Sequence, residues 1–293
     1  MIFAALWRRI RRWFAGGRTL SDLAEWLPIS IRELRETPRD YRRFSIPKRL
    51  GGQREILAPN DRLKALQRRI HRRLLRRLPS HPAATAFERG KSIVDNALPH
   101  TGQAVVLNVD FVAFFQSTTA ERVQRLFRRC GWGRAASRLL TELCTSEGSL
   151  PPGAPTSPRL SNLVNRFLDE DLSRIAAACG ARYTRYADDL TFSFAVDDPF
   201  EVRSLLWNVR LLVGHKGYTV HHRRKLSVRR SHQRQQVTGL VVNERPQLPR
   251  HTRRWLRAVR HRYLTRRRTT ISRQALSGWN SLESMIRARA DQA

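Results

Sequence analysis

Three aspartates carry the chemistry that this sequence offers most plainly. Asp188 and Asp189 are adjacent and follow a β-type segment with Tyr183 and Tyr186. After them, apolar and polar side chains alternate over 190–194, as in a half-buried strand. A tight turn at these acids would form a β-hairpin with both carboxylates at its tip. Asp110 ends the largely apolar run 104–109, which predicts a buried strand that delivers a third carboxylate to its end.

Carboxylates at the ends of two strands are suitable ligands for divalent metal ions. Mg²⁺ prefers hard oxygen ligands and keeps several of its own waters. Asp110, Asp188 and Asp189 are therefore candidates to hold two Mg²⁺ ions for in-line nucleotidyl transfer. One ion would activate the attacking hydroxyl, and the other would neutralise the triphosphate leaving group. Taken alone, two adjacent acids more often form an ordinary polar turn.

The composition predicts a folded protein that binds a polyanion. The chain has 293 residues, with 56 Lys and Arg against 24 Asp and Glu, a formal net charge of +32. A hydrophobic fraction of 41% supports a real core, either in one large domain or in two to three interlocked subdomains. Nucleic acid is the expected partner, and an anionic membrane surface is the weaker alternative.

The cysteines and the hydropathy pattern predict a cytoplasmic protein. Cys130, Cys144 and Cys179 are odd in number and lack metal-type spacing, which predicts buried thiols in a reducing compartment. No apolar run approaches the length of a membrane-spanning helix. Residues 1–14 form a basic amphipathic segment that could pack on the main body, contact RNA or lie on a membrane.

Two helical regions combine an apolar stripe with many arginines. The first follows Asn60, the predicted N-cap, and its exposed face favours a polyanion. The second runs from Pro246, where arginines alternate with aromatic side chains that are suited to RNA. The candidate RNA-binding residues of this second region are Arg253, Arg254, Trp255, Arg257, Arg260 and Tyr263.

Two further segments could contact a nucleotide. Residues 45–59 predict two short strands around a Gly-Gly turn, from which Lys48 and Arg54 would project to hold a triphosphate or simply to be solvated. Residues 151–163 form a loop rich in Pro and small residues, which allows close approach of a ligand, and lead into one long predicted helix that ends near Gly180. Between these segments, Thr118 and Glu121 predict a capping box.

Taken together and in this order, the motifs resemble those of bacterial reverse transcriptases. They are the Tyr-Ala-Asp-Asp hairpin at 186–189, the Asp110 strand followed by Phe114 and Phe115, the loop at 153–158 and the Gly-Gly-Gln-Arg ribbon at 51–54. Asn-Ala-Leu-Pro-His at 96–100 and Val-Thr-Gly at 237–239 are similar to two elements that distinguish retron reverse transcriptases. The resemblance covers about residues 45–243.

The resemblance implies an α+β fold, a right-hand polymerase with fingers, palm and thumb and an antiparallel palm sheet. A short N-terminal helical extension would precede it. The implied boundaries are 1–44 for the extension, 45–101 for the fingers, 102–118 for the palm, 119–150 for helices of fingers and palm, 151–243 for the palm again, and 244–293 for a basic helical thumb.

The resemblance also implies a role for each matching residue. Asp110, Asp188 and Asp189 would be the catalytic metal ligands, with the backbone carbonyl of Phe111 as a further ligand. Asn96 and His100 would be markers of RNA engagement. The implied dNTP-binding residues are Lys48, Arg54, Phe115, Gly153, Ala154 and Pro155. Among them, Phe115 would exclude a ribose 2′-hydroxyl, and the loop residues Gly153, Ala154 and Pro155 would lie beside the nascent base pair. Pro152 stands where the family usually has Gln, so one side-chain contact of the family is missing here.

The implied function is the copying of part of a structured non-coding RNA into single-stranded DNA. Synthesis would be primed from a 2′-hydroxyl of an internal guanosine, with dNTPs as substrates. The partners would be this RNA, its DNA product and an effector protein in anti-phage defence. Two alternatives stay open: another bacterial reverse transcriptase, of group II intron, CRISPR-associated or abortive-infection type, or an RNA-binding scaffold that has lost synthesis.

Overall fold

The structure is a computed structural model that describes residues 17–47, 51–221, 226–265 and 268–291. The basic N-terminal segment and Lys48, both singled out from the sequence, lie outside the described residues. The helices in the described ranges are α1 Leu20–Trp26, α2 Ile31–Glu36, α3 Asp61–Arg73, α4 Ile93–Ala97, α5 Phe114–Ser117, α6 Ala120–Arg129, α7 Arg134–Cys144, α8 Ser157–Val164, α9 Arg166–Ala178, α10 Pro199–His215, α11 Arg250–Leu264 and α12 Arg273–Ala290.

The strands form antiparallel sheets. They are β1 Tyr41–Pro47, β2 Gln53–Pro59, β3 Val105–Asp110, β4 Ala181–Tyr186, β5 Asp189–Phe194, β6 Ser227–Arg230, β7 Gln236–Val237 and β8 Leu240–Val241. β1 pairs with β2, and β7 with β8, while the other four strands form one sheet in the order β4-β5-β3-β6. The mixture of helices with antiparallel sheets confirms the predicted fold class in its coarse form.

The chain divides into two compact units. One comprises the described part of Met1–His81 together with Ala113–Phe167, and the other comprises Pro82–Val112 together with the described part of Leu168–Ala293. Each unit has its own hydrophobic core. All three candidate carboxylates belong to the second unit.

The first unit consists of a β-hairpin and a helical core. β1 and β2 pair from Tyr41 opposite Pro59 to Pro47 opposite Gln53, which confirms the predicted ribbon. The Asn60 side chain accepts a hydrogen bond from the Leu63 N–H, as predicted for an N-cap. The apolar stripe of α3 is buried, and the opposite face exposes Arg68, Arg72 and Arg73. Arg76 and Arg77, in the short 3-10 turn Leu75–Arg77 that follows, are exposed as well.

The four-stranded sheet of the second unit positions the candidate site. β3 lies between β5 and β6, and five of its six residues are buried, which accounts for its nearly continuous apolar sequence. Asp198 is the N-cap of α10, and its carboxylate accepts from the N–H groups of Phe200 and Glu201. Its Val202, Leu205, Val209 and Val213 are buried.

Three predictions made from the sequence are wrong in detail. The long helix toward Gly180 is interrupted at Asn165, because the Asn165 side chain donates to the Ser161 carbonyl and α9 starts anew at Arg166. Thr118 does not form the predicted N-terminal capping box, because the N-cap of α6 is Thr119. Thr118 instead ends α5 as its C-cap, and its hydroxyl donates to the Phe114 carbonyl. Of the cysteines, only Cys144 is fully buried, while Cys130 and Cys179 are partly exposed.

None of the helices in the described ranges has both the length and the apolar character needed to cross a lipid bilayer.

Candidate active site

The central hairpin forms as predicted, with the two acids at its tip. β4 and β5 pair up to Tyr186 opposite Asp189, so that Ala187 and Asp188 make the turn. Ala187 has a φ of +58°, in the left-handed region that a two-residue hairpin turn requires. Leu190 and Phe192 are fully buried below the turn, and they hold the hairpin against the core.

The sheet brings the third carboxylate beside this tip. Asp110, the last residue of β3, lies directly opposite Asp189 in the β3–β5 register. The N–H of Phe111 donates to the carbonyl of Asp188 over 3.0 Å. Directly opposed residues of antiparallel strands have Cβ atoms about 4.5–5.5 Å apart. Residues distant in sequence are therefore adjacent in the fold.

The three acids differ in their exposure to solvent. Asp110 is only 6% exposed, whereas Asp188 is half-buried and Asp189 is exposed. His221 lies beside Asp110: its N–H donates to the Asp110 carbonyl over 2.9 Å, and its Nε2 is 3.5 Å from Asp110 Oδ1. Phe111 is buried and packs its ring on Tyr218, with the ring centroids 5.1 Å apart.

The donor chemistry and the backbone register fit a divalent metal, but the side chains are not yet gathered around one point. Within the residues that the structure describes, no group of three or more His, Cys, Asp or Glu side chains has the arrangement of a metal site. Asp110, Asp188 and Asp189 nevertheless supply only the oxygen ligands that Mg²⁺ prefers, at neighbouring backbone positions.

The candidate nucleotide-binding residues with described positions lie in the first unit. Arg54 is exposed on β2, opposite Ile46, and Phe115 is half-buried on α5 with its ring edge-on to Phe114 at a centroid distance of 5.6 Å. Phe115 also packs on the helical core. Its orientation is therefore fixed by contacts of its own unit.

The small-residue loop packs closely against β2. The N–H of Leu57 donates to the Pro152 carbonyl over 2.7 Å, so this backbone contact does not depend on the Gln usual at that position. Gly153 has a φ of +121°, and a Cβ there would lie 2.8 Å from Ile56 Cγ2 and 2.9 Å from the Leu57 carbonyl oxygen. Glycine is thus required by the strand beneath. Ala154 is buried and Pro155 half-buried.

Asn96 and His100 are completely buried and contact protein. His100 Nδ1 is 2.7 Å from Ser193 Oγ, and His100 Nε2 is 2.8 Å from Thr184 Oγ1, so the ring bridges β5 and β4. Burial, assisted by the charge of Arg182, lowers the pKa of His100 to about 3, and the imidazole is neutral. Asn96 Oδ1 accepts from the Thr85 hydroxyl. Any influence of these two residues on RNA is therefore exerted through the hairpin that they support.

The basic C-terminal helix presents only part of its predicted RNA-binding set. Arg253, Arg254 and Arg257 are exposed, and Trp255 is 36% exposed with its ring against Trp279. The remaining two side chains are engaged within the unit. Arg260 donates to Asn280 and Glu283 of α12, and the Tyr263 hydroxyl donates to the Ile271 carbonyl. Their accessible surface for RNA is correspondingly reduced.

A buried ion pair between the hairpin and α9 was not predicted from the sequence. Arg185 and Asp169 are both inaccessible to solvent and are joined by two hydrogen bonds of 2.7 Å. Asp169 holds the pKa of the Arg185 guanidinium above its usual range, although burial alone would lower it. The sequence does contain an indication of this pair. Arg185 is two residues from Tyr183, so both side chains lie on the same face of β4, and a buried arginine on that face needs a partner inside the protein.

Comparisons with known proteins identify the family of the chain. Residues 46–222 match the family model described as reverse transcriptase (RNA-dependent DNA polymerase). The chain is 39% identical to Retron Mx162 reverse transcriptase of Myxococcus xanthus over 82% of this chain and 57% of the relative. It is 39% identical to Retron Mx65 reverse transcriptase of the same organism over 83% of this chain and 62% of the relative. It is 34% identical to Retron Ec86 reverse transcriptase of Escherichia coli over 77% of this chain and 71% of the relative.

The chain thus spans about three fifths of the length of the two Myxococcus relatives. The matched region contains the strand that ends at Asp110, the loop at Gly153 and the hairpin with Asp188 and Asp189. The family model covers more than half of the chain, and several relatives exceed 30% identity over most of it. The chain therefore belongs to the reverse transcriptase family and, within it, to the retron reverse transcriptases.

Proposed function

We propose that this protein is an RNA-directed DNA polymerase that copies part of a structured non-coding RNA into single-stranded DNA. The observation that carries the proposal is the β3–β5 register, which sets Asp110 opposite Asp189, with Asp188 tied to Phe111 by a backbone hydrogen bond. An RNA 2′-hydroxyl is the proposed primer. The family to which the chain belongs supports the type of reaction.

Asp110, Asp188 and Asp189 are the proposed ligands of two Mg²⁺ ions, together with the Phe111 carbonyl. Bound there, the ions would activate the attacking hydroxyl and neutralise the pyrophosphate leaving group. The chain's own contribution is to hold the carboxylates close together. The buried Asp110 is fixed at the end of β3, while the more exposed hairpin acids remain accessible to a substrate.

The proposed nucleotide contacts come from residues matched by family motifs. Arg54 and Lys48 would bind triphosphate oxygens, because guanidinium and ammonium groups stabilise phosphates directly. The ring of Phe115 would exclude a ribose 2′-hydroxyl, and the loop from Gly153 through Ala154 to Pro155 would contact the nascent base pair. Support for Arg54 is its exposure on β2, and support for the loop is its rigid packing on that strand.

A right-hand arrangement of fingers, palm and thumb, with the boundaries given from the sequence, is part of the proposal. Arg253, Arg254, Trp255 and Arg257 are the proposed RNA contacts of the thumb, supported by their exposure on one basic helix. Further proposed partners are the DNA product, dNTPs and an effector protein that acts in anti-phage defence. The cytoplasm is the proposed location, consistent with cysteines that form no disulfide among the described residues.

The second candidate function is an RNA-binding scaffold without synthesis. The observation in its favour is that the side chains of the three aspartates do not form a ready ligand set in the described residues. The presence of all three carboxylates at adjacent backbone positions favours the polymerase. A different class of reverse transcriptase would share the polymerase chemistry but would require no internal RNA primer.

The test is expression of the chain with its flanking genomic DNA, followed by analysis of the extracted nucleic acid. We expect a DNase-sensitive strand joined to RNA with the wild type and with Glu170→Gln, an exposed acid on α9, but not with Asp188→Asn. RNA that co-purifies without DNA in every case would overturn the proposal in favour of a scaffold. DNA that is made only from an added primer would favour another reverse transcriptase class.

A further inference from the structure

A buried ion pair lies directly behind the hairpin that carries Asp188. Arg185, on β4, donates through Nε to Asp169 Oδ1 and through Nη2 to Asp169 Oδ2, both over 2.7 Å. Both side chains are 0% exposed. This is the bidentate geometry in which arginine and carboxylate groups bind most specifically. Asp169, on α9, thereby fixes the plane of the guanidinium.

The third nitrogen of this guanidinium reaches the turn itself. Arg185 Nη1 donates to the carbonyl oxygen of Ala187 over 3.0 Å. Ala187 immediately precedes Asp188 and has a φ of +58°, a conformation that residues other than glycine seldom adopt. A strained turn persists only where its surroundings hold it. The hydrogen bond from Arg185 stabilises the strained turn at Ala187.

The pair is itself held in place by its neighbours. The Tyr183 hydroxyl donates to Asp169 Oδ1 over 2.9 Å, and the Tyr183 ring stacks on Phe192 of β5 at a centroid distance of 4.9 Å. The Arg185 N–H donates to the Ala83 carbonyl, and its carbonyl accepts from the Thr85 N–H. The backbone and the side chain of Arg185 are therefore both fixed before any ligand arrives.

Stability alone does not explain this ion pair. Removing two charges from water is costly, and buried ion pairs are often replaced by apolar side chains with little or no loss of stability. An apolar pair of similar volume could fill the same space between α9 and β4. It could not donate a hydrogen bond to the Ala187 carbonyl, which is the contact that leads to the candidate site.

We propose that Arg185, fixed by Asp169 and Tyr183, is a positioning residue that sets the turn at Ala187 and so places the Asp188 carboxylate for metal binding. The inference rests on the proposed function, since it assigns Asp188 to a metal. Arg185 touches neither substrate nor metal in this scheme. Residues that orient metal ligands in this indirect way typically change metal affinity by about 10- to 100-fold when altered.

The test uses two variants that remove the contact to Ala187 in different ways. Arg185→Met/Asp169→Leu replaces the pair by apolar side chains. Arg185→Lys keeps a charge for Asp169 but lacks the planar fork that reaches two partners at once. The control is Arg174→Lys, because Arg174 forms an exposed pair with Asp171 on the same helix. Folding of each protein is checked by circular dichroism and thermal melting.

Two readouts separate positioning from general damage. Direct Mn²⁺ binding, measured by electron paramagnetic resonance without nucleotide, should weaken about 10- to 100-fold in folded Arg185→Lys and in the double variant. In primer extension, kcat should fall and the half-saturating Mg²⁺ concentration should rise, while KM for dNTP changes less than twofold. Arg174→Lys should match the wild type in each measurement.

Folded variants with wild-type Mn²⁺ affinity and wild-type Mg²⁺ dependence would overturn the inference. If both variants fail to fold, the same Mn²⁺ measurement is made on Tyr183→Phe, which lacks the hydroxyl that donates to Asp169. Weaker Mn²⁺ binding by this variant supports the positioning role, and unchanged binding overturns it. A wild-type protein that binds Mn²⁺ at Asp188 but makes no DNA would refute the proposed function alone. A wild type that makes DNA, with variants unaltered, would refute the positioning role alone.

Discussion

At the scale of single residues, Gly153 shows how a small side chain serves packing as well as ligand approach. The sequence predicts that this loop allows a nucleotide to come near. The structure shows that β2 already occupies the space on one side of it, because a Cβ would lie within 3 Å of Ile56 and of the Leu57 carbonyl. Its φ of +121° adds a second requirement for glycine.

Replacing Gly153 by alanine should lower the free energy of unfolding by about 2–4 kcal/mol, as the sum of backbone strain and overpacking. Thermal or urea unfolding measures this. Gly148→Ala is the matched control in the same unit, since Gly148 has a φ of +75° but a Cβ added there would meet nothing within 4 Å beyond its chain neighbours. Its cost should be limited to backbone strain, about 1 kcal/mol. Equal losses in the two variants would refute the close approach to β2.

At the scale of elements, His100 of the Asn-Ala-Leu-Pro-His motif supports the hairpin through contacts with protein groups. Its ring joins β4 to β5 through Thr184 and Ser193, beneath the hairpin that carries the acids. Burial lowers the pKa of His100 to about 3, whereas an unfolded histidine has a pKa of about 6.5. Below pH 6.5 the unfolded chain therefore binds a proton that the folded chain excludes.

The stability contributed by neutral His100 is complete above about pH 6.5 and is lost as the pH falls toward 3. His100→Gln should lower the free energy of unfolding at pH 7.5 by about 1–3 kcal/mol, because two buried hydrogen bonds are weakened. It should also flatten the pH dependence between pH 6 and 4 by up to about 1.4 kcal/mol per pH unit. Urea unfolding at several pH values measures both effects, with exposed His251→Gln as control. An unchanged slope would contradict the buried neutral state.

The elements predicted best are those whose pattern is set by the local sequence. The hairpin around Asp188 and the helix that follows the Asn60 N-cap formed where the sequence predicts them, because alternation and an apolar stripe dictate them directly. The interruption at Asn165 and the failed cap at Thr118 depend on single side-chain hydrogen bonds to carbonyl groups. Such bonds compete with helix patterns in a way that periodicity cannot reveal.

The candidate site was only partly predictable for a related reason. Asp110, Asp188 and Asp189 could be identified because acids at strand ends interrupt an apolar pattern. The pairing of Arg185 with Asp169 and the burial of His100 depend on contacts between segments far apart in sequence. A pattern read along one strand shows that Arg185 needs a partner, but it does not show which partner.

At the scale of the whole molecule, the net charge of +32 favours binding to a polyanion such as nucleic acid. The arginines that can meet phosphates are those that protein contacts leave exposed, such as Arg253, Arg254 and Arg257 on α11. Arg260 differs, because it binds Asn280 and Glu283 within the second unit. Neighbouring arginines of one helix are thus expected to contribute to RNA binding and to stability in different proportions.

The triple variant Arg253→Gln/Arg254→Gln/Arg257→Gln should weaken binding to an RNA stem-loop transcribed from the flanking DNA. The slope of log affinity against log salt should become shallower by roughly 2, since each lost phosphate contact removes about 0.7 to 0.9. Fluorescence anisotropy at several salt concentrations measures the slope. Arg260→Gln should instead lower the melting temperature and leave the slope nearly unchanged. Equal slopes for the triple variant and the wild type would contradict a thumb interface on α11.

The assignment of the three aspartates is tested by primer extension on an RNA template, with the purified chain, dNTPs and Mg²⁺. Wild type and Glu170→Gln should extend the primer, and chelation of the metal should stop them. Asp110→Asn, Asp188→Asn and Asp189→Asn, each shown to be folded by circular dichroism, should leave no synthesis above background, because each replaces a proposed carboxylate ligand by a neutral amide. Extension by any of these three variants at the wild-type rate would contradict the assignment of the site.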